Sequence, residues 1–280
     1  MEFNTVLVAT DGSACARGAV AHGVAVARAF DARVHAVSAV DPSRLGGHSV
    51  GDVTDLVERR LEVARASARD ALEHVVDVAD AAGVDADTAV VEARPGEALR
   101  AQARETGADL VAMGTHGRTG LDHYLVGSVA ERTVRTSPVP TLVVHGERET
   151  LPEYGTVVVP TDGSVHAERA AGLAVALADA FGATVHALHV ADGADGDPTA
   201  AVRERAADAG VPAESVVRDG VPSRAIVDYA DEVGADLVAM GTHGRTGLDR
   251  RLVGSVAERT VRTATRPVLT AHAASASDGD

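Results

Sequence analysis

The sequence has no lysine and no tryptophan, a single cysteine, and an aromatic share of only 2% over 280 residues. Cys15 alone cannot form an intrachain disulfide, so the fold must be held by packing, as suits a reducing interior. With 45% hydrophobic residues but almost no rings, the core has to be assembled from Val, Ala and Leu, which suits helices packed closely on a sheet. All 26 basic residues are Arg, set against 41 Asp and Glu for a formal charge of −15. Such an excess repels phosphate polymers and anionic surfaces, so no nucleic-acid or membrane partner is expected. The start, MEFNTVLVATDGS, lacks a basic n-region, and no run of about 20 apolar residues occurs; the expected location is the cytoplasm. Acidity without lysine points to a salt-rich, halophilic cytoplasm, where a Debye length of roughly 3 Å screens a dense carboxylate shell. GC-rich codon usage would also replace Lys by Arg, and the sequence leaves both readings open.

What is present is one unit written twice. The 30 residues from Gly107 to Thr136, GADLVAMGTHGRTGLDHYLVGSVAERTVRT, recur from Gly234 to Thr263 with two changes, His123 to Arg250 and Tyr124 to Arg251. VLVATDGS at Val6–Ser13 is answered by VVVPTDGS at Val157–Ser164. From Asp11 to Gly114 is 103 positions but from Asp162 to Gly241 only 79, so the second repeat has lost 24 residues from its middle. The charged stretch around GERETLPEYG, with its Pro and Gly, reads as a connection. The expected organisation is a first domain over 1–146, a linker over 147–154, a second domain with a shortened second helix over 155–272, and a disordered tail over 273–280.

Within the first repeat, Thr5–Thr10, Arg33–Val40, Thr88–Glu92, Leu110–Met113 and Thr141–Val144 read as strands, several of them apolar on consecutive positions, as parallel strands covered on both faces should be. Ser13–Phe30, Asp52–Ala82, Pro95–Thr106 and Ser128–Thr136 read as helices, with N-caps at Ser13 and Ser128. The second repeat places strands near Thr156, Thr184, Glu214, Leu237 and Val268 and cuts its second helix to Pro198–Ala209. Alternation of this kind predicts an α/β fold with doubly wound parallel sheets and helices on both faces.

Two loop elements carry candidate chemistry. Gly114-Thr115-His116-Gly117 is followed after nine residues by Gly127-Ser128, and the spacing is repeated by Gly241-Thr242-His243-Gly244 and Gly254-Ser255. The glycines after a buried strand permit positive φ and close approach of a ligand to the backbone, and the Gly-Ser pair opens a helix whose first amides can hold phosphate without lysine. Ser128 and Ser255 can add a hydroxyl, and Arg118 and Arg245 a countercharge. A tight strand-to-helix connection would use the same glycines, and Ser128 would then be an ordinary cap. Thr10-Asp11-Gly12-Ser13 and Thr161-Asp162-Gly163-Ser164 set a carboxylate at the end of the first strand, either to accept from a base or ribose or to shape the turn.

Taken together, VLVATDGS and GTHGRTGLDHYLVGSVAERTVRTSPVPTLVV closely resemble the ATP-binding class of universal stress proteins over nearly all of both repeats. The resemblance implies five-stranded sheets of order 3-2-1-4-5, an adenine nucleotide alpha-hydrolase-like fold. It implies adenine near Ala9, Asp11 and Val40, and near Pro160, Asp162 and Val190. Met113 and Met240 would lead into the loops for ribose and phosphates: Gly114, Thr115, His116, Gly117, Arg118, Thr119, Gly120 with Gly127, Ser128, Val129, and Gly241, Thr242, His243, Gly244, Arg245, Thr246, Gly247 with Gly254, Ser255, Val256. Members commonly pair through their last strands, which implies an intramolecular pseudo-dimer and a possible further homo-oligomer through the edges Thr141–Val144 and Val268–Ala271. Ala9 departs from the Pro found at Pro160, and the shortened second repeat makes a shallower or empty second site possible. The expected activity is nucleotide-dependent regulation in a stress response, binding ATP, with Mg2+ arriving on the ATP if at all. A slow ATPase or autophosphorylating enzyme is the alternative, and a dimerisation module without nucleotide the third reading. No Gly-x-x-x-x-Gly-Lys loop is present and no transition-metal spacing recurs, so neither catalytic nor metal residues are expected.

Overall fold

The computed structural model describes residues 3–44, 54–115, 127–191, 196–244 and 254–272. Its first repeat runs β1 (Thr5–Ala9), α1 (Ala14–Ala29), β2 (Arg33–Val40), α2 (Thr54–Ala82), β3 (Ala86–Glu92), α3 (Pro95–Glu105), β4 (Leu110–Gly114), α4 (Ser128–Thr136) and β5 (Thr141–Val144), with a 3-10 turn at Pro42–Arg44. The second runs β6 (Thr156–Pro160), α5 (Val165–Phe181), β7 (Thr184–Val190), α6 (Ala200–Asp208), β8 (Ala213–Arg218), α7 (Pro222–Glu232), β9 (Leu237–Gly241), α8 (Ser255–Thr263) and β10 (Val268–Ala271).

Two compact units form, and they are not the two repeats cut at the linker. One comprises Glu2–Pro138 with Val144–Pro152, the other Val139–Val143 with Glu153–Asp280. In the first unit, parallel pairing orders the sheet β3-β2-β1-β4, so β1 lies between β2 and β4. In the second, β10-β9-β6-β7-β8 are parallel neighbours, the doubly wound order, and Thr141–Val143 of β5 add an antiparallel strand against β10. The two last strands thus pair with each other, as the resemblance implied, and Val268–Ala271, paired on both sides, is not an open edge for a further copy, which corrects that part of the expectation.

The central strands are apolar on consecutive positions because helices cover both faces: Val6, Leu7 and Val8 are fully buried, as are Val157, Val158 and Val159. Small residues let the helices close in. A methyl group on Gly23 of α1 would lie 2.6 Å from Val8 Cγ2. The same fastening recurs at the start of each repeat. Phe3 stacks edge-on against Phe30 and Tyr154 against Phe181, both at 4.7 Å, while Asp109 Oδ2 accepts from the Asn4 and Thr5 amides and Asp236 Oδ2 from Gly155 and Thr156. Tyr154, which the sequence placed in the linker, is thus a core residue, and burial drives its hydroxyl pKa strongly upward. The rest of the connection lies along α1, where Glu149 pairs with Arg17 and Gly146 O would be 2.7 Å from a methyl group on Gly18.

Candidate functional site

Parallel order brings the carboxyl ends of β1 and β4, and of β6 and β9, side by side, and the sequence-predicted loops leave the sheet there. Ala9, Val40, Pro160 and Val190 are the last residues of β1, β2, β6 and β7. Beyond β1, Gly12 adopts φ +77°, Asp11 Oδ1 accepts from Ser13 N at 3.0 Å, and Ser13 Oγ caps α1 by accepting from Ala16 N. The copy is faithful: Gly163 at φ +74°, Ser164 N to Asp162 Oδ1 at 3.0 Å, Ala167 N to Ser164 Oγ. One oxygen of each aspartate therefore shapes the turn, the local role the sequence left open.

Met113 and Met240 are buried on β4 and β9, and Gly114 and Gly241 end those strands. Their glycine identity has a different cause from the expected one. Neither takes a positive φ, and a methyl group on Gly114 would sit 2.8 Å from the Cys15 carbonyl, on Gly241 2.7 Å from the His166 carbonyl carbon. These two positions are small because the first turn of α1 or α5 crosses the strand end, not because a ligand must reach the backbone. Gly244 differs: a methyl group there would meet Asp162 Oδ2 at 2.7 Å, so this glycine lets the loop approach the carboxylate.

Thr115 and Thr242 then tie strand to helix. Each carbonyl accepts from the amide of Gly127 or Gly254 at 2.7 Å, setting the first turn of α4 or α8 beside the strand end. Gly127 and Gly254 are themselves the N-caps, with extended φ, ψ of −63°, 146° and −61°, 143°, and no side chain caps either helix. Ser128 and Ser255 are the first helical residues and exposed, which corrects the expected serine cap. The amides of Ser128, Val129, Ser255 and Val256 have no acceptor within their helices, and the dipole adds positive potential there. His116, Gly117, Arg118, Thr119 and Gly120, and Arg245, Thr246 and Gly247, lie outside the described residues.

The second repeat adds a histidine cluster. His243 lies 4.8 Å from His166, the rings tilted by 42°, and 6.3 Å from His272, ring centre to ring centre. Thr242 Oγ1 stands 3.1 Å from His243 Nδ1, 3.0 Å from His272 Nδ1 and 3.3 Å from Ala271 O. His243 Nε2 is buried without a hydrogen-bond partner. Desolvation, then the His243 ring, lowers the pKa of His166, with Arg169 adding and Asp162 opposing. Among the described residues no group of three or more His, Cys, Asp or Glu could hold a metal ion, and no helix is long and apolar enough to cross a membrane.

Residues 2–145, 153–208 and 196–272 match the universal stress protein family profile. The chain belongs to the universal stress protein family. Universal stress protein MJ0531 of Methanocaldococcus jannaschii is 34% identical over 142 residues, 51% of this chain and 82% of that one. A universal stress protein from Archaeoglobus fulgidus superposes with a TM-score of 0.75 and 97% of each chain covered at 22% identity, which establishes the shared tandem fold. A universal stress protein crystallised in complex with cAMP is 34% identical, with 44% of this chain and 99% of that one covered at a TM-score of 0.39. Within this universal stress protein, His166 and His272 are the site residues that sequence reasoning passed over. The signal for the first was a position where the matching turns differ in chemistry, Cys15 against His166; for the second, a histidine directly after the last strand of each repeat, His145 and His272.

Proposed function

We propose that each repeat is a cradle for an adenine nucleotide, ATP by preference, and that the protein is a non-catalytic regulator whose surface responds to occupancy. The observation that carries this reading is the Thr242 O to Gly254 N bond and its twin at Thr115 and Gly127, which hold a glycine-capped helix start beside the end of the strand next to the Asp162 or Asp11 turn. A polyanion at that helix start gains amide donors and dipole without any lysine, which an acidic chain requires. The adenine end would lie toward Ala9, Asp11 and Val40, and toward Pro160, Asp162 and Val190, where the carboxylates are acceptors suited to a base amine or ribose hydroxyl. The buried, unpartnered His243 Nε2 fits a ligand with hydrogen-bonding oxygens. We infer a cytoplasmic, salt-rich setting, with Mg2+ brought by the nucleotide if present.

Calorimetric titration of ATP into the intact chain in molar salt tests the reading, with Gly127→Val and Gly254→Val variants that place a branched side chain at each helix start. The expected result is saturable binding that loses one site with each variant. Absence of binding by the intact chain would leave the dimerisation module as the better account, and steady release of ADP and phosphate would revive the enzyme.

A further inference from the structure

We propose that the second cradle takes up a proton as it binds the phosphate chain, through the adjacent His166–His243 pair, and that the first cradle, with Cys15 in place of His166, lacks this linkage. The inference rests on the reading of the loops as a nucleotide site and deepens it. Thr242 Oγ1 has one proton for three neighbours, the Nδ1 atoms of His243 and His272 and the carbonyl of Ala271, so at least one of those imidazoles donates to it from Nδ1. When His243 is that donor, its neutral ring presents a bare lone pair at Nε2, the buried atom without a partner. An ionised phosphate oxygen can only accept, so one arriving at Nε2 requires a proton there.

Without a ligand the doubly charged pair is disfavoured, because the rings stand 4.8 Å apart and two imidazoliums at that spacing repel. Among the described residues the charged and titratable groups around the pair are Asp162 from the β6–α5 turn, Arg169 on α5 and His272 beyond β10; their net bias, together with burial, is against the charged form at His166. A polyanion reverses the sign of the local field, so binding and protonation favour each other. Thermodynamic linkage then makes affinity rise as pH falls through the histidine range. The first repeat offers no second imidazole at the matching helix position, where Cys15 lies.

The experiment is ATP titration of the full chain in molar salt at pH 6, 7 and 8, in two buffers of different ionisation enthalpy, with the wild type and His166→Cys. That variant copies the first repeat's own residue; His166→Gln repeats the test if it fails to fold by circular dichroism. The difference between wild type and variant cancels the ionisation of ATP itself. The expected result is an uptake larger in the wild type by roughly half a proton or more per nucleotide at pH 7, and one class of sites tightening about tenfold from pH 8 to pH 6, a dependence that flattens in the variant. Binding with equal proton uptake in both proteins would overturn this inference while leaving the cradle intact. No ATP binding at any pH would overturn both.

Discussion

A glycine in a binding motif can be required by the ligand or by the fold, and the two repeats separate these cases residue by residue. Gly241 faces the backbone of His166 and Ala167 at 2.7 and 2.8 Å, atoms that cannot swing aside, whereas Gly244 faces only the far end of Asp162. Gly241→Ala is therefore expected to destabilise the fold by about 1–3 kcal/mol as forced overpacking, and Gly244→Ala by less than about 1 kcal/mol. Denaturant midpoints would show the difference, while ATP binding should weaken in Gly244→Ala even though its fold holds. His166 supports a second expectation. Its folded pKa lies below the ordinary 6.5, so the unfolded chain binds the proton more readily; its contribution is neutral well above that pH and destabilising below it. Unfolding the nucleotide-free protein by urea at pH 7.5 and pH 5.5 should show a larger loss on acidification for the wild type than for His166→Cys, and an equal loss would remove His166 from the account.

At the scale of elements, the two kinds of helix start predict different responses. Ser164 accepts from Ala167 N and caps α5, so Ser164→Ala should cost about 1 kcal/mol. Ser255 follows a glycine cap and caps nothing, so Ser255→Ala should stay within about 0.5 kcal/mol in thermal unfolding while removing a hydroxyl from the proposed phosphate site. Such details mark the limit of what the sequence conveyed. Arg33–Val40 and Thr141–Val144 were legible to the residue, because short, largely buried runs enriched in Val have few other readings. β3 was read two residues short, since half-buried Ala86 and exposed Asp87 open that strand without an apolar run. The serine caps looked alike in sequence, and only the extended backbone of Gly127 and Gly254 told them apart. Antiparallel pairing of Thr141–Val143 with β10 joins residues 125 or more positions apart and leaves no local trace. The histidine cluster was invisible for the same reason: His166, His243 and His272 come from three separate elements.

Across the whole molecule the deciding quantity is charge. Twenty-six Arg cannot neutralise 41 carboxylates, and the ion pairs that do form, such as Arg218–Glu232 and Arg224–Asp228, are exposed pairs worth little each. Salt acts on these two contributions with opposite signs: it weakens the pairs and relieves the repulsion among the surplus acids. At 0.1 M the Debye length is about 10 Å, long enough for neighbouring carboxylates to repel; at 1 M it is about 3 Å and they do not. Because the surplus is 15 charges and each pair is weak, relief of repulsion should win. Thermal unfolding in sodium chloride is expected to shift upward by about 5 °C or more between 0.1 and 2 M, a gain of one to a few kcal/mol for a chain of this size. Chloride is the proper salt for the test, since sulfate would strengthen apolar burial by itself and raise the transition in any protein. A flat or falling transition would mean that the ion pairs outweigh the repulsion, and the acidic, lysine-free composition would then reflect codon usage rather than a salt-rich cell.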